Sequence, residues 1–121
     1  MSTKAIGFAS PAQGYETSAI DLNSLFVPHP ASTFLYRLES EEMAALGLPR
    51  GTILIVDRSK QPPLNRFALI QHEGRFLCRL LTERHGTAVF TNGSTCLTPT
   101  DGETVIIGAV TASVQDYVNA H

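Results

Sequence analysis

The sequence predicts a mainly β domain, and three features predict it. Short runs rich in β-branched and aromatic residues recur: "TFLYRL", "TILIVD", "RFALIQ", "RFLCRLLTE" and "TAVFT". Gly, Pro and Asn separate these runs at short spacing. No long helical pattern alternates with them, so a βαβ layout is not expected.

In chain order, residues 1–20 hold Gly7, Pro11, Gly14 and many small polar side chains. They read as an extended arm, followed by a single domain over residues 21–121. "AIDLNSLF" is long enough for one helical turn, capped by Asp21 or Asn23. "VPHPAS" ends it, because closely spaced prolines cannot continue a helix. "TFLYRL" is a strand by content. "SEEMAALGL" predicts a short helix, with Ser40 as cap, acids in its first turn and Gly47 at its end. "PRG" turns the chain into the buried strand "TILIVD".

"RSKQPPLN" is a loop. "RFALIQ" and "RFLCRLLTE" flank "HEG" and form a hairpin turning at Gly74. "TAVFT" follows, and "NGS" turns the chain again. "ETVIIGAVTASVQDYV" is one long strand, bent at Gly108, since glycine within a strand often marks a bulge.

Composition narrows the function. The chain has 121 residues and can bury roughly two-thirds of its unfolded surface without staples. Its net charge of −2 argues against a direct nucleic-acid reader. Cys78 and Cys96 belong to no Cys-x-x-Cys pair and have no His cluster beside them, so no metal site is expected. They read as two thiols in a reducing compartment. "MSTKAIGFASPAQG" lacks the continuous apolar core of a signal peptide, and no apolar run reaches the roughly 20 residues of a membrane span. A soluble, cytoplasmic protein is expected.

Three blocks carry a family resemblance: "GFASPA", "DLNSLFVPHPASTFLYRL" and "MAALGLPRGTILIVDRS". Their order resembles the UmuD/LexA family of self-cleaving Ser-Lys peptidases, over nearly the whole chain. The resemblance implies the LexA/UmuD C-terminal-domain β fold, with one short helix after the former nucleophile loop. The family's loop reads Ser-Gly-Asp-Ser-Met, and its second serine is the nucleophile. The matching residues here are Glu39, Ser40, Glu41, Glu42 and Met43, which puts Glu42 at the nucleophile position. The family's lysine base falls on Arg79, in "GRFLCRLL".

Those two changes remove the chemistry. A Ser-Lys dyad needs a lysine that is neutral when it acts. Arginine stays protonated in proteins. Losing one member of such a unit typically costs on the order of a million-fold in turnover. Ser40 is expected to cap the short helix rather than replace the nucleophile. His29, His72 and His85 fit no triad spacing and are expected on loops or strand surfaces. The family's two dyad positions face each other across a cleft, so Glu42 and Arg79 are expected to form a charge-assisted pair. The family's scissile bond corresponds to Ile6–Gly7, with six residues before it, so the chain is expected to resemble the processed form.

The resemblance thus implies a pseudo-peptidase without cofactor. It implies a homodimer, with the last strand and C-terminal tail as interface, and a role in the SOS response. The expected partners are a UmuC-like translesion DNA polymerase and the RecA filament. The alternatives are a decoy that forms mixed dimers with an active UmuD-like protein, a residual LexA-type serine peptidase, and a β domain of unrelated role.

Overall fold

The computed structural model describes residues 20–99 and 102–118. Ile6, Gly7 and all but the last residue of the expected arm lie outside them.

Helix α1 (Leu22–Phe26) is capped by Asp21, whose carboxylate accepts from the backbone N–H groups of Asn23 and Ser24 at 3.0 and 3.3 Å. It ends before Pro28, and a 3-10 turn at Pro30–Ser32 leads into the sheet. The strands are β1 (Thr33–Arg37), β2 (Ile53–Asp57), β3 (Arg66–His72), β4 (Arg75–Arg84), β5 (Thr87–Thr91), β6 (Cys96–Leu97) and β7 (Thr104–Val114). They form one antiparallel sheet in the order β1-β2-β7-β3-β4-β5-β6. The expected mainly β fold is therefore present. β6, at two residues, is too short to leave a pattern in the sequence.

The helix expected from Ser40 is a single 3-10 turn, Ala44–Leu46. Ser40 does not cap it; its Oγ accepts from the Glu42 N–H at 3.4 Å, ahead of the turn. The reason lies in the closure of the loop. Leu38 N–H donates to the Thr52 carbonyl and Gly51 N–H to the Leu38 carbonyl, at 2.9 and 2.8 Å. The chain must return within that span, so one tight turn fits, ended by Gly47 in the left-handed region at φ 91°.

Strand β7 organises the sheet. Its first half pairs with β3 and its second with β2, and Ala109 faces both Ala68 and Asp57. The register slips beside Gly108, as the expected bend requires. A Cβ at Gly108 would sit 2.6 Å from the Asp57 carbonyl oxygen, so only glycine permits this approach.

Alternate residues of β3 feed two cores. Leu69 joins Leu54, Val56, Met43 and Cys78, whereas Ala68 and Ile70 join Leu77 and Phe90. Each large buried side chain contributes roughly 1.5–3 kcal/mol. The first core fixes the loop after β1, because Met43 is buried in it.

Candidate functional site

The loop after β1 and the strand β4 form opposite walls of a cleft of about 170 Å³, lined by Tyr36, Leu38, Glu39, Glu42, Phe76 and Arg79 among others. Met43 points into the core, and its neighbour Glu42 lines the cleft. The loop is held by its own hydrogen bonds, including Arg50 N–H to Glu41 Oε1 at 3.3 Å. Across the cleft, Tyr36 and Phe76 meet edge to face, with ring centroids 6.0 Å apart. Burial, and secondarily the Glu39 carboxylate, raises the Tyr36 hydroxyl above its ordinary pKa.

Glu42 and Arg79 meet. Arg79 Nη2 donates to Glu42 Oε1 at 2.7 Å, and Nη1 donates to the Cys78 carbonyl at 2.8 Å. Arg79 is buried, and among the described residues no acceptor reaches its Nε. The contact is a charge-assisted hydrogen bond through one guanidinium nitrogen, not a two-point fork. The guanidinium keeps its proton and so cannot serve as a base. Cys78, next to Arg79, is buried. Burial pushes its thiol up to about 12, against the smaller opposing effect of the Arg79 charge. Neither cysteine forms a disulfide.

Ser40 lines the same cleft but is exposed, and its Oγ serves the Glu42 N–H. The histidines lie elsewhere. His72 Nδ1 is 2.9 Å from Thr104 Oγ1, and His85 sits in the β4–β5 turn with φ 53°.

A second polar cluster escaped sequence reasoning. His29 Nδ1 lies 2.8 Å from Oδ2 of the buried Asp57, while Ser32 Oγ, Ser59 N–H and Ser59 Oγ all donate to Oδ1. The Ser59 hydroxyl, followed by His29, holds the Asp57 carboxyl far below the usual carboxylate range. This is no catalytic triad. Ser59 Oγ lies 3.4 Å from the same ring nitrogen that faces Asp57, whereas a triad needs serine and carboxylate on opposite nitrogens. The cluster instead pins residues 29–32 to the end of β2. The available sequence clue was an aspartate closing the apolar run "ILIVD".

Among the described residues no group of three His, Cys, Asp or Glu side chains is placed to hold a metal. No helix among them is long and apolar enough to cross a membrane.

The Peptidase S24-like family model matches residues 1–110. ImpA of Salmonella typhimurium is 36% identical over 78 residues, which span 64% of this chain and 54% of ImpA. SamA of the same organism is 30% identical over 108 residues, spanning 89% of this chain and 77% of SamA. MucA of Escherichia coli is 42% identical over 53 residues, spanning 44% of this chain and 36% of MucA. The chain thus matches about half the length of ImpA. With its antiparallel sheet and the cleft between the loop after β1 and strand β4, the chain is a UmuD-like member of the Peptidase S24-like family.

Proposed function

We propose that this chain is a non-catalytic UmuD-like accessory protein of SOS mutagenesis, acting by binding a UmuC-like translesion DNA polymerase. The observation that carries the reading is the Glu42–Arg79 ion pair, 2.7 Å long, at the positions where the family resemblance sets nucleophile and base. Hydrolysis of a peptide bond there needs an alkoxide and a group to receive its proton. A carboxylate attacking an amide would form an anhydride, and the paired guanidinium cannot take up a proton. What remains is a stable β scaffold with exposed surfaces.

The working form in this proposal is a cytoplasmic homodimer. Leu35 on edge strand β1, and Tyr117 and Val118 beyond β7, are exposed, and a symmetric partner is a usual cover for such surfaces. Recruitment to RecA-coated DNA follows through protein contacts, in keeping with the net charge of −2.

The test is native mass spectrometry of the full chain, alone and mixed with the UmuC-like polymerase of the same genome. A dimer that joins the polymerase supports the proposal. A dimer that ignores it contradicts the accessory role.

A further inference from the structure

The sheet has a gap where β7 changes neighbours. The β3–β7 ladder ends at Ala68 and Ala109. Continuing that register would set Arg66 opposite Thr111, yet no pairing forms there, because β7 has turned to follow β2. Among the described residues, the second edge of residues 110–114 therefore pairs with no strand.

A groove of about 450 Å³ opens at the start of this edge, lined there by Ala109, Val110 and Thr111. Leu25, Pro28, Pro63 and Val110 give it an apolar lining, and Lys60 and Arg66 supply its charge. The end of α1 is tied beside it, since Thr111 Oγ donates to the Phe26 carbonyl at 3.0 Å. No Asp or Glu lines the groove, although acids outnumber bases in the chain, 11 to 9. Lys60 and Arg66 are both exposed, and neither forms an ion pair among the described residues.

We infer that this groove binds an extended acidic segment of another protein, which adds as a strand to residues 110–114 of β7. Main-chain hydrogen bonds to an open strand edge supply binding, and alternate side chains supply selectivity. One set of side chains meets Leu25, Pro28 and Pro63. The other carries carboxylates to Lys60 and Arg66. Two cations beside an apolar lining match such a segment. A phosphate backbone needs a longer basic stripe. The surface lies apart from the Glu42–Arg79 cleft and does not depend on whether that cleft is active.

The test uses the full chain and a short fluorescein-labelled peptide that alternates Glu with Val or Leu, at physiological salt. The expected result is saturable binding by anisotropy, with hydrogen-exchange protection of residues 110–114. Lys60→Glu with Arg66→Glu weakens binding by about tenfold or more, since two attractive contacts become repulsive. Both sites are exposed, and an unchanged thermal transition shows that the variant folds. A peptide with Lys in place of Glu does not bind. Absence of saturable binding overturns the proposal, as does binding indifferent to the double variant or protection centred on the Glu42–Arg79 cleft. Concentration-dependent protection of residues 110–114 without peptide also overturns it, because it assigns the edge to a second copy of the chain.

Discussion

The Arg79 side chain is 8% exposed, whereas its partner Glu42 is 39% exposed, and the two meet at 2.7 Å. The pair is therefore asymmetric. Arg79 depends on Glu42 to neutralise a buried charge, while Glu42 keeps water on its other side. Glu42→Ala should cost about 1–3 kcal/mol, because it strands a buried cation. Arg79→Met should cost about 1 kcal/mol or less, because the freed carboxylate hydrates and the thioether stem fills the space. Urea unfolding of the two variants measures both. Equal costs, or a larger cost at Arg79, would contradict this asymmetry.

The meeting of three strands at Gly108 predicts a second effect. An added methyl would sit 2.6 Å from the Asp57 carbonyl oxygen and 3.0 Å from the Arg58 Cα, both backbone atoms that cannot rotate away. Gly108→Ala should destabilise by about 1–3 kcal/mol through overpacking. Chemical denaturation checks it. The usual alanine-for-glycine gain in unfolded-state entropy is too small to reverse the sign.

Asp57 should make stability depend on acid in a defined direction. Its folded pKa is depressed, first by the Ser59 hydroxyl and then by His29. Its contribution is therefore fully present above the unfolded value of about 4, and is lost as pH falls through the lower folded value. Asp57→Asn should melt below the wild type at neutral pH. The difference in melting temperature should hold down to about pH 4 and shrink below it. A constant difference across the acid range would show that the carboxylate charge does not matter.

The two thiols should differ in reactivity. Cys78 is buried with its thiol pushed up to about 12, whereas Cys96 is partly exposed. Iodoacetamide at neutral pH should label Cys96 in the native protein and reach Cys78 only on unfolding, as read by peptide mass mapping. Labelling of native Cys78 at a rate comparable to Cys96 would contradict the packing around Leu69 and Met43.

The legible parts of the sequence were those with local causes. "TILIVD" and "RFLCRLLTE" showed their strands because β-branched and apolar runs are readable within a few residues. Gly47 and Gly74 marked their turns because each adopts a positive φ. Met43 aligned the loop and so named Glu42, Gly74 and Phe76 in "GRFLCRLL" named Arg79, and the family resemblance set the two face to face. The illegible parts had distant causes. The 3-10 turn after Ser40 is short because Leu38 and Thr52 close the loop from outside. The Asp57 cluster joins residues separated by up to 30 positions, and no spacing rule relates them. The groove at the start of residues 110–114 exists only because β7 leaves β3 for β2, a property of the whole sheet.

The most direct test of the account is a cleavage assay by intact mass. An uncut UmuD-like protein is incubated with the wild-type chain and, in parallel, with the Glu42→Ser, Arg79→Lys double variant. The wild type is expected to leave its target at full mass, while the double variant regains cleavage that increases toward alkaline pH, where its lysine loses its proton. Cleavage by the wild type at a rate comparable to the restored dyad would show that the Glu42–Arg79 site is an enzyme, and would contradict the account.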